Sequence, residues 1–370
     1  MKNLELTVRR NDLVRELQLV QGIVERKNSI PILSNVLAEA QDGSLRISAT
    51  DLDVSLRCGC PAQVAQPGAI TLAAKKLYEI ARALPESDVR IKVLPDAWAT
   101  IECERSSFRV AGLPREDFPA LPEAPGTRAV EIPGEALRDL ITRTAFAVTG
   151  EDGRYYLAGA LLLLEQDAVA MVATDGHRLS YARRPVTLKL AETARVLVPR
   201  KAIHELGRLL ELGQDASFAQ SENHLAFRVG ERVLASKLTE GQFPAFEKVL
   251  GVTGSKRVVL EREALATAIR RVSLLASERS RAVRVGLKQG QLSLAASSPD
   301  LGTAEETLET EYQGEDVEVG FNAQYLLEFL GVAGTDKVRL ELQDAESQGV
   351  LRPDGEIPTE HRYVVMPMRL

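Results

Sequence analysis

MVATDGHRLSYA, residues 171–182, reads as an apolar strand, a tight Asp-Gly turn and a second strand. Asp-Gly is favoured where a two-residue hairpin connection needs positive φ. Alternation then sets His177, Leu179 and Tyr181 on one face of the second strand and Arg178 and Ser180 on the other. The opening of this stretch recurs. ISATDL (47–52) lies 124 residues before it and LAASSP (294–299) 123 residues after it, each ending an apolar run at a turn.

The same period runs through other segments. NDLVRELQLV, GEALRDLITRTAF and REALATAIRRVSLL align through Leu13, Leu137 and Leu265 and through Leu17, Ile141 and Ile269. Their i, i+4 apolar spacing is that of an amphipathic helix. AKKLYEIARAL (74–84) matches RKAIHELGRLL (200–210), and FNAQYLLEFLGV (321–332) is a weaker third copy, with Glu328 in the register of Glu79 and Glu205. LPREDFPALP and LTEGQFPAFEKVL share Leu-x4-Phe-Pro-Ala, with Leu113 and Leu238 in register, and read as exits into linkers near 122–128 and 250–256. Several segments in one register predict three copies of one α+β unit, over residues 1–123, 128–251 and 255–370. Each copy reads as strand, helix, strands, then strand, helix, strands. Its two helices are expected to cover antiparallel sheet.

Bulk properties narrow the function classes. The 370-residue chain carries a net charge of −6 with a pI near 5.5, so a free basic tail is excluded. DNA binding then depends on where the positive charge sits rather than on its sum. Cys58, Cys60 and Cys103 form no C-x-x-C pair, which argues against a disulfide framework and a zinc knuckle. They read as core residues in a reducing compartment, and no metal or cofactor is expected. MKNLELTVRR lacks the apolar core of a signal peptide, and YYLAGALLLL is too short to span a bilayer, so the expected location is the cytoplasm.

Basic residues recur along the helices. Arg143 falls near Arg271, with Arg270 beside it; Lys75 matches Lys201, flanked by Lys76 and Arg200; Arg82 matches Arg208; Arg26 and Lys27 follow the first helix. The bland reading is solvated helix surface. The sharper one is a basic layer that contacts phosphates without reading bases. Gln324 replaces the lysine in the third copy.

Asp175, His177 and Ser180 invite a hydrolase reading, which needs nucleophile, base and orienting group within hydrogen-bond reach. Neighbours on a strand point apart, and no G-x-S-x-G elbow or H-E-x-x-H helix accompanies them. A turn with a structural histidine is the stronger reading, and no catalytic residue is assigned.

RYYLAG, VATDGHRL, VPRKAIHEL, SKLTEGQFPAF, VGFNAQYLL and the terminal YVVMPMRL together resemble the bacterial DNA polymerase III beta subunit family, the sliding clamps. The resemblance runs from IPILSNVL to the last residue. It implies the DNA clamp fold, with three similar domains per chain and two chains joined head to tail in a ring. Helices would line the hole, and the ring would be a non-enzymatic processivity factor threaded by duplex DNA. It implies DNA-facing roles for Lys27, Lys75, Arg154, Tyr155, Arg200 and Lys201. Glu151 departs from the neutral amide that related clamps can offer there.

The resemblance also implies an apolar cleft for a short linear peptide with Gln near its start and Leu/Phe at its end. The peptide would come from the polymerase III alpha subunit, the clamp loader delta subunit, other polymerases and repair proteins. The matching residues are Leu157, Thr174, Gly176, His177, Arg178, Leu179, Pro244, Val249, Val364, Met366, Pro367, Met368 and Arg369. Flexible methionines suit a surface with many partners. Core packing competes for Val364 and Val365, and Lys248 and Gln348 stand where a relative carries Arg and Ser. The ring seam is implied between Phe108 and Val110 of one chain and Leu274 and Leu275 of the other, with Arg279 nearby. QGVLRPDGEIPTEHRY (348–363) reads as a surface loop and is the one hint of a clamp paralogue.

Overall fold

A strand feeding directly into an amphipathic helix opens every copy. The computed structural model describes residues 4–24, 30–122, 129–150, 157–190, 192–239 and 241–369. The first repeat runs β1 (Glu5–Arg9), α1 (Arg10–Val20), β2 (Asn35–Gln41), β3 (Ser44–Thr50), β4 (Val54–Pro61), β5 (Gln63–Gln66), β6 (Gly68–Ala73), α2 (Ala74–Ala83), β7 (Asp88–Val93), β8 (Trp98–Cys103) and β9 (Ser106–Leu113). The second runs β10 (Val130–Ile132), α3 (Gly134–Thr144), β11 (Gly159–Leu164), β12 (Ala168–Thr174), β13 (Arg178–Pro185), β14 (Ala194–Pro199), α4 (Arg200–Leu210), β15 (Ala216–Gln220), β16 (His224–Val229) and β17 (Arg232–Lys237), followed by the single turn α5 (Glu247–Leu250). The third runs β18 (Lys256–Glu261), α6 (Arg262–Ser273), β19 (Ala282–Lys288), β20 (Gln291–Ser298), β21 (Gly302–Glu309), β22 (Val317–Asn322), α7 (Ala323–Val332), β23 (Lys337–Leu342), β24 (Gly349–Asp354) and β25 (Glu360–Val365). The element order is the one the repeat predicts.

The helices bury the stripes that the periodicity picks out: Leu13 and Leu17 on α1, Ile203 and Leu206 on α4, Leu265 and Ile269 on α6. Each such side chain contributes about 1.5–3 kcal/mol on leaving water.

The strands form antiparallel sheets that pass through the repeat boundaries. β17 pairs with β4, setting Leu234 opposite Leu56. β25 pairs with β13, setting Tyr363 opposite Ser180. The last strand of one repeat therefore zips onto the post-turn strand of the repeat before it. The chain divides accordingly into two compact units, Met1–Glu135 with Lys201–Leu238 and Ala136–Arg200 with Thr239–Leu370. The first holds a thirteen-stranded sheet, the second sheets of eight and four strands.

Two expectations are corrected here. Thr174 lies opposite Leu179, so four residues, Asp175 to Arg178, separate the last pair of this hairpin, Arg178 already pairing with β25, where a two-residue turn was expected. Asp175 Oδ1 accepts from the amides of His177 (2.9 Å) and Arg178 (3.0 Å). Thr174 Oγ1 donates to the Arg178 carbonyl (2.6 Å) and accepts from the Gly176 amide (3.1 Å). The turn after β3 repeats every bond: Asp51 takes the amides of Asp53 and Val54, and Thr50 Oγ1 links the Val54 carbonyl and the Leu52 amide. Leu52 holds φ +81° where Gly176 holds +89°. The Thr-Asp pair thus builds this turn by capping its backbone, with or without glycine.

The second correction concerns residues 348–363, read as a surface loop: most of the stretch belongs to β24 and β25, which leave 355–359 as the connection. Val350 and Leu351 pair with Val364 and Tyr363, and all four are buried. Pro353 sits where β24 has left β25 and pairs only with β23, so its missing N–H costs the sheet nothing there.

Candidate partner-binding surfaces

β13 carries two different chemistries on its two faces. On one, Leu179 and Val364 join Leu161, Val172, Val350 and Phe246 in a buried apolar cluster, with Tyr181, Phe243, Val249 and Leu250 packed at its margin. Tyr181 stacks on Phe246 with ring centroids 6.2 Å apart. The tail beyond β25 is laid alongside: the Met366 amide donates to the His177 carbonyl (2.9 Å), and the Met368 amide to the Gly320 carbonyl (2.8 Å). Gly176, His177, Pro244 and Arg369 are exposed, Pro367 and Met368 half-buried, and Met366 is 44% exposed. Thr174 and Leu157 are buried, Leu157 just ahead of β11. Of the residues expected at the cleft, Leu179, Val364 and Val249 belong to this apolar cluster, and the methionine-bearing tail lies accessible beside it.

Arg178 points the other way. Its guanidinium donates to Asp175 Oδ2 (3.0 Å), the Phe146 carbonyl (2.6 Å) and the Glu328 carboxylate, and it lies 4.2 Å from the Tyr325 ring centroid. Burial works against its charge, but Tyr363 and Glu328 outweigh burial and hold it above the usual arginine range. Its contribution to the floor is its backbone; the side chain locks the turn to α7. Sequence reading missed Glu328 as its partner, although the recurrence of a glutamate at that helix position marked the residue.

Ser180 also faces inward, donating to the Arg143 carbonyl (2.6 Å) and lying 3.0 Å from His361 Nε2. With the serine proton spent on a carbonyl, His361 Nε2 is the donor of that pair. Burial, with Arg143 nearby, holds His361 at about 3, so it is neutral. Asp175 is saturated by two amides and Arg178. Neither pair supplies a general base beside a free nucleophile.

The seam between β4 and β17 has the same geometry and opposite chemistry. Ser48, Ser55 and Ala235 stand where Val172, Leu179 and Val364 stand, and an ion pair between Asp53 and Lys237 (2.9 Å) replaces His177 and Met366. Behind it Glu16, fully buried, takes a two-pronged bond from Arg232 (3.0 and 2.5 Å). Of these two seams, β13–β25 is the apolar one among the described residues.

The expected DNA-facing residues are placed unevenly. Lys27, Arg154 and Tyr155, like Glu151, lie outside the described residues. Lys75 is exposed in the first turn of α2, 3.9 Å from Glu79, and Arg200 is exposed at the start of α4. Lys201 gives two of its three donors to the Ile23 carbonyl (2.7 Å) and Asp51 (2.5 Å). Arg143 fits neither surface reading: it is buried, bonded to the Val332 and Ala333 carbonyls at the end of α7.

Several sheet edges are open among the described residues, those of β5, β10, β14, β18 and β22 included, and two others carry the expected seam. β9 meets β6 only through Leu113 and Gly112, leaving Ser106–Ala111 without a second neighbour, and β21 ends its sheet. Phe108 and Val110 lie opposite the fully buried Ile101 and Ala99, yet are only half-buried themselves. On the other face Arg109 covers Trp98, 4.8 Å from the ring centroid. Leu274, at the end of α6, is 75% exposed, and Leu275 is half-buried. Arg271 on the same helix pairs with Glu306 of β21 (Nε to Oε2, 2.9 Å).

Comparison with known proteins accounts for this arrangement. The models of the DNA polymerase III beta subunit match throughout: N-terminal domain over residues 4–122, central domain over 131–245, C-terminal domain over 248–369. The beta sliding clamp of Pseudomonas putida is 40% identical over 370 residues, covering 99% of this chain and all of that one. The Escherichia coli K12 clamp is 34% identical, with 99% and 100% covered. The crystal structure of the DNA polymerase III subunit beta from Pseudomonas aeruginosa superposes with a TM-score of 0.92 at 39% identity, covering 99% of this chain and 100% of that one. The fold is the three-domain DNA clamp. The chain belongs to the DNA polymerase III beta subunit family, the bacterial sliding clamps.

Proposed function

We propose that two copies of this chain close head to tail around duplex DNA and tether polymerase III and other partners through a short peptide at the β13–β25 seam. The observation that carries this reading is the repetition of the seam. β17 lies on β4 and β25 on β13 in one register, counted from the Thr-Asp turn. The same rule applied to the remaining repeats leaves β9 and β21 as matching edges, which a second chain joins in this reading. A contact between two different edges is heterologous, and two of them close a ring of six repeats. Phe108 holds the position of Leu234 and Tyr363, both fully buried at their seams. In that register it faces Ala304 of the second copy, beside Leu274 and Leu275.

Lys75, Arg200, Lys201 and, from the sequence, Lys27, Arg154 and Tyr155 supply phosphate contacts, which are independent of sequence and screened by salt, and so permit sliding. The domains are taken as residues 1–123, 128–251 and 255–370. The ring acts without catalysis of its own, in the cytoplasm; no helix among the described residues is long and apolar enough to cross a membrane. Partners are polymerase III alpha, the clamp loader delta subunit, and other polymerases and repair proteins.

The test is retention. Once loaded, the protein stays on closed circular DNA and escapes from linear fragments of the same length. Equal escape from both ends the topological reading. His177→Ala keeps the dimer and loses peptide affinity; loss of a substrate turnover would instead favour a hydrolase.

A further inference from the structure

One wall of the apolar surface belongs to no sheet. It is the linker from Phe243 to Gly251, with Val249 and Leu250 packed on the cluster and Phe246 buried in it. Its only regular element, α5, is a single turn without a side-chain cap, too short to hold its own shape. Within the turn the Val249 carbonyl is held only weakly, the Val252 amide lying 3.5 Å away, and it lacks a firm partner.

The loop between β23 and β24 supplies one. Gln348 Nε2 donates to the Val249 carbonyl at 2.9 Å. The same loop fastens the far end of the linker: the Ser255 amide donates to Gln343 Oε1 (3.0 Å) and Lys256 Nζ to the Gln343 carbonyl (3.1 Å). The loop is stiffened by Asp344, whose Oδ1 accepts the amides of Glu346 (2.9 Å) and Ser347 (2.7 Å). Gln348 begins the approach to Val350, which lies in the floor of the same cluster. One side chain thus links wall to floor.

We infer that Gln348 is a positioning residue for the partner peptide: its amide holds Val249 and the α5 turn against the sheet before any peptide arrives. The inference rests on the reading of this surface as the peptide site. It takes the peptide class already named and adds a pre-formed wall, which lowers the ordering that binding would otherwise require.

The experiment uses the full-length dimer and a fluorescent peptide with Gln near its start and Leu-Phe at its end. Gln348→Ala is expected to weaken binding roughly three- to tenfold, the range of one lost hydrogen bond, through faster dissociation. Gln348→Glu, which keeps the length but removes the donors, is expected to match it. In the free protein, the amides of Val249 to Gly251 should exchange faster in both variants, with the thermal midpoint and dimer size unchanged. Unchanged affinity in both variants overturns the inference. Weaker binding without faster exchange in the free protein also overturns it, since the glutamine would then act by touching the peptide. If the unaltered protein binds no peptide, the reading of the surface fails instead, and the two failures are distinguishable.

Discussion

Arg178 is a buried cation whose three nitrogens each have a partner inside the fold. Removing it takes the cation away from Asp175 and Glu328, and breaking a buried pair by deleting one partner costs about 3–5 kcal/mol. Arg178→Ala is expected to lower the denaturant midpoint by an amount in that range, and Arg178→Lys to recover little, because an ammonium cannot meet three acceptors in one plane. His361 provides a pH signature. Its folded value, about 3, lies below the ordinary 6.5. The unfolded chain therefore takes the proton first as pH falls. Stability is at its reference level above pH 6.5 and declines between 6.5 and 3, by at most about 1.4 kcal/mol per unit. Chemical denaturation at pH 7.5 and 5.0 should show the decline, and His361→Gln should flatten it. At this scale the sequence was half legible. Alternation put Arg178 and Ser180 together on the face opposite Leu179, but Glu328 and His361 reach them from far along the chain, and no local pattern marks such a meeting.

Among elements, the two seams closed within the chain share backbone geometry and differ in side chains. Giving the β13–β25 seam the chemistry of its counterpart, by Leu179→Ser with Val364→Ala, is expected to weaken peptide binding more than tenfold while leaving the dimer intact. Fluorescence anisotropy and sizing chromatography check the two halves of that statement. The helices and their order were legible, because the 3.6-residue period repeats three times with the same anchors. β24 and β25 were not. Pro353, Gly355 and Pro358 punctuate the stretch like a loop, and consecutive Val350 and Leu351 break alternation because that part of the sheet is covered on both faces. Pairing between repeats was equally hidden, since a strand's sequence carries its faces and not its neighbours.

For the whole molecule, Phe108→Asp is expected to leave monomers at micromolar concentration, read by light scattering, because a carboxylate would be desolvated where its two equivalents are fully buried. Lys75→Ala should speed loss from DNA and lower the dependence of retention on the logarithm of salt by about one; an unchanged slope would remove Lys75 from the phosphate contacts. The sequence carried the threefold architecture openly, and by resemblance the ring. The acidic total gives no hint of the basic positions, and two of those have partners inside the fold: Arg143 meets the end of α7, and Lys201 gives two donors to Ile23 and Asp51.

The chain contains a single tryptophan, Trp98, and it lies beneath Arg109 on the strand whose edge is open. Its indole is therefore a built-in optical probe of that edge. Emission followed during dilution, with no dye attached, would report the moment at which the two halves of the assembly come apart.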